Sequence, residues 1–314
     1  MNYKHILSLA LGLGLAASAT AQGRIMNVLE ATPDARAAAM GHNLMGASRG
    51  MYLYTNPASM VLGQEKLNIG LSGELYPDSP EGRLRQYSFS AGYRLGRSSA
   101  LMGGVRYLGG LRLPTTNGLE LGAEALRPHE YTIDLGYALA ITPHLVVHLA
   151  GSYLHSDMGT KASGLALSAG VGYQRSFALG SKQTTLNLGA RLLDLGQSMR
   201  YDDTKLPQPI PTSLALGGDW ALELAPQHQL TYGLSGRFFL TEGGKEQLIG
   251  TGIEYGYDRL VFARLGYQYS RYGADRLTMG LGCAWRGLKL DATYSHSSPI
   301  YGVDTFSLGL GFSL

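Results

Sequence analysis

The residues able to do chemistry stand singly among small and apolar neighbours. In the last quarter of the chain, Glu254, Arg264, Arg286, Lys289 and Asp291 alternate with large apolar side chains. Successive side chains on a strand point to opposite faces, so parity places all five on one face. Ile253, Leu265, Trp285, Leu288 and Leu290 fall on the other. Charges gathered on one enclosed face are expected to pair, because an unpartnered buried charge is costly. A conduction or proton path is the other chemistry that such a row allows.

Catalysis has less support. A hydrolase needs a nucleophile, a base and an acid within hydrogen-bond reach. His155 and Ser156 are sequence neighbours, as are Ser295, His296 and Ser297. Neighbours on a strand face opposite ways, so neither set is a nucleophile–base pair. The histidines, His129, His144, His148, His155 and His296 among them, include no HExxH run, and Cys283 is the single cysteine. Neither a metal site, nor a disulfide framework, nor a cofactor is expected. The glycines at 164–172 lack the strand–loop–helix context of a phosphate loop. The sequence predicts a protein that is not an enzyme.

Composition says what must carry these residues. Glycine accounts for 44 of 314 residues, about twice the usual share of ~7%. Tyrosine, at 20, far outnumbers phenylalanine at 7, and charged residues make up only 16%, against a typical ~25%. A soluble enzyme needs more charge on its surface than this. Disorder is excluded by the plentiful Leu, Val and aromatic residues. A formal net charge of +3 does not suggest nucleic acid.

Residues 1–22 read as an export signal, with Lys4 and His5, an apolar core, and Ala19-Thr20-Ala21 as a cleavage site. From residue 64 onward the pattern is period two, in runs longer than the ~5–6 residues of soluble strands. In the C-terminal run Phe306, Leu308, Leu310, Phe312 and Leu314 alternate with Ser and Gly. Tyr131, Ile133, Leu135, Tyr137 and Leu139 alternate with small or polar residues in the same way. One apolar face and one small-residue face, with tyrosines such as Tyr255, Tyr257, Tyr267, Tyr269, Tyr294 and Tyr301 near segment ends, fit a membrane-spanning barrel with aromatic girdles. The fold class predicted is all-β: a transmembrane antiparallel β-barrel of about 14 strands over 64–314. Short connections at 96–97, 142–144, 258–259 and 286–287 alternate with longer ones at 77–83, 114–128, 155–162, 201–211 and 297–302. The short side is expected to be periplasmic, with both termini on that side and outer-membrane lipid around the barrel.

Residues 23–63 do not alternate. Thr32 is a plausible N-cap, with Pro33 at the first helical position and Gly41 ending a short Ala-rich helix. Asn56, Pro57 and Ala58 begin a second. This apolar, helix-periodic segment is expected to be a hatch inside the lumen, with Arg36 facing a lumen carboxylate.

These residues also carry a family resemblance. Asp34, Arg36 and Gly41 in DARAAAMG, followed by Asn56-Pro57-Ala58, resemble the N-terminal signature of the PorV/PorQ family. Gly252, Glu254 and Tyr255, then Arg264, Gly266 and Tyr267, then Gly280 and Gly282, resemble that family's C-terminal run. Ile210-Pro211 through Gly217 resembles its strand entry, while Gly256 stands where a Trp is usual. The family is itself similar to FadL-type transporters, fourteen-stranded barrels with an N-terminal hatch. The resemblance implies a non-catalytic component of type IX protein secretion and surface attachment, with the secretion translocon and cargo bearing a C-terminal signal domain as partners. It leaves a FadL-like transporter of hydrophobic small molecules as the alternative.

Overall fold

The alternating runs form strands because each has an apolar stripe to present outward and small residues to turn inward. The computed structural model describes residues 24–114, 125–180, 182–202, 207–241, 245–298 and 302–314. The expected export signal, Tyr301, most of the 114–128 connection and part of 201–211 lie outside the described residues. The first seven strands are β1 (Leu67–Ser79), β2 (Gly82–Leu95), β3 (Ser99–Leu111), β4 (His129–Ala140), β5 (Leu145–Asp157), β6 (Lys161–Leu179) and β7 (Lys182–Gly196). A two-residue ribbon follows, β8 (Met199–Arg200) with β9 (Pro207–Gln208). Then come β10 (Ser213–Ala225), β11 (His228–Phe239), β12 (Gln247–Tyr257), β13 (Val261–Ser270), β14 (Arg276–Trp285), β15 (Leu288–Ser297) and β16 (Thr305–Ser313).

All strands but the ribbon form one closed antiparallel barrel of fourteen, each paired with its neighbour in sequence and β7 with β10. The seam joins β1 to β16, from Asn68 opposite Ser313 to Leu75 opposite Phe306. Full closure leaves no sheet edge unpaired, which a strand crossing hydrocarbon requires.

The two faces separate as parity demands. In β14, Leu277, Met279 and Leu281 are exposed on the outside while Thr278, Gly280 and Gly282 are buried inside. Tyrosines collect toward the strand ends in two belts. Tyr87, Tyr107, Tyr131, Tyr153, Tyr267 and Tyr294 lie at the loop end, and Tyr93, Tyr137, Tyr255 and Tyr257 at the turn end.

The turn end is built from tight hairpins. Asp258 and Arg259 have φ of 52° and 56°, and Arg286 and Gly287 have φ of 47° and 86°. Paired positive φ values match the right-handed twist of the flanking strands. This corrects the placement of Arg286 on the lumen face. Parity holds only within a strand, β14 ends at Trp285, and Arg286 sits in the turn. There it is exposed, its guanidinium 4.9 Å over the Trp285 ring. At the loop end, two connections are shorter than expected. β1 and β2 continue pairing to Ser79 opposite Gly82, with Asp78 and Arg83 3.8 Å apart, so only Pro80 and Glu81 remain as a turn. Residues 158–160 alone join β5 to β6.

Leu281 is 66% exposed at the middle of β14's outer face. Leu281→Arg should destabilise the barrel in a bilayer by about 2–4 kcal/mol, read by reversible denaturant unfolding in lipid vesicles. The same change at Leu314, beyond the end of β16, should cost much less.

Candidate functional site

Residues 24–63 fill the lumen, and their placement rests on charged side chains met by charged wall residues. The 3-10 turn Asn27–Leu29 and the helices Ala35–Ala39 and Ala58–Leu62 are short, too short to be stable unaided. The first helix is capped by Asp34, whose Oδ1 accepts from the Ala37 N–H at 2.7 Å. The expected cap, Thr32, lies two residues earlier and instead sits 2.8 Å from His42 Nδ1. Helical backbone begins only after Asp34, whose own φ and ψ are extended. Gly41 follows the helix at φ 68°. Its backbone lies so close to β12 and β13 that a Cβ on Gly250 or Gly266 would overlap it. Thr293 and Thr278 on the wall donate to the Ala35 and Ala39 carbonyls at 2.6 and 3.0 Å.

The central cluster is built on Glu254 of β12, which is 1% exposed. Arg36 reaches it twice, Nε to Oε2 at 2.9 Å and Nη2 to Oε1 at 3.1 Å. Arg49 Nη2 donates to Oε1 at 3.0 Å and Arg264 Nε to Oε2 at 2.6 Å. Arg264 Nη1 continues to Asp291 Oδ1 at 2.5 Å. Arg36 also donates to the Ala47 carbonyl and lies 4.0 Å from Asp219, whose Oδ2 accepts from the Ala47 N–H at 2.7 Å. Lys289 donates to the Arg49 carbonyl at 2.8 Å and to Glu65 at 2.6 Å, and Tyr52 Oη donates to Glu65 at 2.6 Å. Arg49 also lies 3.7 Å over the Phe262 ring. Glu254, Arg264, Asp291 and Lys289 are thus brought together with Arg36, and Arg286 is not.

Burial and partners set the charge states of the hatch groups. Burial works against the Arg36 cation, but the Glu254, Asp219 and Asp34 carboxylates outweigh it and hold its pKa above the ordinary value. Arg49 is lowered to about 10 by burial and by the neighbouring Arg36 and Arg264 cations, against the pull of Glu254. Burial raises Asp34 despite its Ala37 N–H donor. His42 is lowered to about 3, by burial first and the Arg276 cation second.

Three further anchors were not singled out by the sequence pattern. Arg191 of β7 donates to the carbonyls of Leu53, Tyr54 and Thr55, at 3.1, 3.0 and 2.5 Å. Tyr54 Oη donates to Asp134 at 2.8 Å, and Asp134 also takes Arg106 at 3.0 Å. Glu130 accepts from the Met26 and Val28 N–H groups at 3.2 and 2.9 Å. Parity puts Glu130, Asp134 and Arg191 inside, and that was the available signal. Asp219 falls inside by the same parity, opposite in sense to Leu216 and Trp220 of β10, and Arg49 carries no such signal. Arg49 is in an irregular segment, where no parity applies. Asn56 Oδ1 accepts from the Ala58 N–H at 3.2 Å, its Nδ2 donates to the Met45 carbonyl at 3.2 Å, and Pro57 precedes the helix with φ −58°. Ala58 rests directly on Gly172.

A closed antiparallel barrel of fourteen strands is an architecture with relatives. Residues 19–241 match the family model described as Type IX secretion system protein PorV. The chain belongs to the PorV family. Its place is therefore as an outer-membrane barrel of type IX secretion. Among solved structures, the Pseudomonas putida toluene transporter TodX is similar at 13% identity and TM-score 0.55, over 90% of this chain and 98% of TodX. The monoaromatic hydrocarbon channel CymD is similar at 13% identity and TM-score 0.54, over 92% of this chain and 98% of CymD. At that identity the likeness is one of fold alone. No curated protein sequence matches significantly.

Glu254→Gln leaves three guanidiniums, two buried and one half-buried, without their shared carboxylate and should cost about 3–5 kcal/mol in urea unfolding in detergent micelles. Trypsin should then cleave within the hatch, at Arg36 or Arg49, while the strands stay protected. His42 gives a pH dependence of known sign. The unfolded chain takes up its proton near pH 6.5 and the folded chain only near pH 3. His42 therefore lowers stability progressively as pH falls through that window. The unfolding free energy of His42→Asn should fall less steeply from pH 6.5 to 4 than that of the unsubstituted protein.

Proposed function

We propose that this barrel acts by binding rather than by catalysis, receiving secreted proteins through a folded C-terminal signal domain and passing them to surface attachment. The observation that carries this reading is the hatch itself, tied to the wall on several sides by buried charges. The interior cavity beside it measures about 140 Å³ and is lined in part by His42, Arg237, Glu246 and Arg276. Such a cavity is small and interrupted by charged side chains, where a conduit for hydrophobic molecules needs a continuous apolar path. The binding surface is then the loop end. Its two longest connections leave well-anchored bases: Leu113 and Leu126 exchange backbone bonds at 2.8 and 2.9 Å, and β8 pairs with β9. Tight hairpins at the other end support a periplasmic assignment for that side and for both termini. Residues 1–22 are proposed as the cleaved export signal, 23–63 as the hatch and 64–314 as the barrel.

The test is a chromosomal variant lacking residues 115–124, made alongside a full deletion. The loop variant should reach the outer membrane as a heat-modifiable barrel, yet release signal-bearing proteins into the medium and no longer co-purify with them. Normal surface attachment in both strains would overturn the reading. Loss of uptake of a hydrophobic substrate, with secretion intact, would favour the FadL-like alternative.

A further inference from the structure

The sheet register assembles a group of side chains that linear spacing conceals. His129 opens β4 and Asp157 ends β5, and the two are direct cross-strand partners. His155 stands two residues before Asp157, so it lies on the same face of β5. Neighbouring Glu130 and Ser156 are buried in the lumen, so the three point outward, at the loop end of the barrel. One ligating atom of each lies within 4.8 Å of the other two.

The surroundings prepare both imidazoles. His129 Nδ1 is 3.1 Å from the Arg127 carbonyl. A carbonyl only accepts, so Nδ1 carries the proton and Nε2 carries the free lone pair. His155 Nδ1 is 3.0 Å from Ser163 Oγ, an atom able to accept in the same way and leave Nε2 free. A hydrogen-bond acceptor on Nδ1 is the usual way in which a metal-binding histidine is oriented. The rings are further held by aromatic neighbours, His129 by Tyr107 at 6.1 Å between centroids and His155 by Tyr131 at 4.8 Å. Asp157 Oδ1 accepts from the Gly159 N–H at 3.0 Å, which fixes the carboxylate and leaves Oδ2 available.

We propose that His129, His155 and Asp157 form a zinc site that clips the ends of β4 and β5 together at the loop end. Two imidazoles and a carboxylate are a donor set that suits zinc, with a fourth position left to water or another ligand. Tetrahedral bonds of about 2.0–2.2 Å hold donor atoms roughly 3.3 Å apart, a closure that side-chain rotation supplies without moving either strand. Access from water is open. His129 and Asp157 also line a groove of about 1480 Å³ that runs past the β1–β2 hairpin. Placement on paired strands gives the site a rigid base.

The test uses the full mature chain in detergent, purified without a polyhistidine tag, stripped with chelator and titrated with zinc chloride by calorimetry. One equivalent should bind, and the thermal midpoint should rise on binding. His155→Gln and Asp157→Asn should each weaken binding by about tenfold or more and abolish the rise. His228→Gln, beside Tyr255 and Tyr257 at the opposite end, should bind like the unsubstituted protein. Heat-modifiable migration establishes that each variant is a folded barrel. The proposal is overturned by an absence of saturable binding, or by unchanged affinity in both the His155 and the Asp157 variants.

Discussion

The carboxylate of Glu254 is the interaction on which the interior depends. It stands on a strand inside a closed cylinder and takes hydrogen bonds from Arg36, Arg49 and Arg264. Two of those arginines come from the hatch and one from the wall. Asp291 and Asp219 supply the remaining negative charge, so three guanidiniums meet three carboxylates. Buried ion pairs contribute little net stability, but removing one partner of such a set is severe. What the cluster provides is position: it admits one seating of the hatch and penalises others. The short hatch helices supply little stability of their own, and the wall's charges compensate for that.

Around this cluster the barrel wall has an apolar outer face and an inner face of Gly, Ser, Thr and scattered charges. The glycine excess follows from how near the hatch backbone comes to the sheet. Where the inner face is more apolar, Ala100, Met102, Ala138 and Val146 pack against Met51, Tyr52, Leu53, Met60 and Val61 of the hatch. The tyrosine excess belongs to the two girdles, and the scarcity of charge to the broad band facing lipid. One geometry thereby accounts for all three compositional oddities.

Much of the fold was legible because period two is a strong signal in long strands. The fourteen segments followed from it, as did the inward placement of Glu254, Arg264, Lys289 and Asp291. Arg286 failed because parity was carried past Trp285 into a hairpin turn. Thr32 failed as a cap because the helix starts after Asp34, which caps it just as well chemically. The 77–83 stretch looked like a loop because Pro and Asp discourage strands, yet the ladder of β1 and β2 overrides that local preference. Partner identity was not legible in general. Arg36 and Glu254 lie 218 residues apart, and only closure of the barrel sets them face to face. His129 and Asp157 show the same limit at shorter range, because register rather than spacing makes them neighbours.

The seam between β1 and β16 also fixes where the hatch is attached. The last hatch helix ends at Leu62 and β1 begins at Leu67, so four residues join the two. Lys66 and Leu67 donate their N–H groups to the Leu314 carbonyl, which ties that joint to the chain just past β16. A hatch that lost its hold on Glu254 would stay leashed to the turn end of the seam, so that the lumen could open without shedding what fills it.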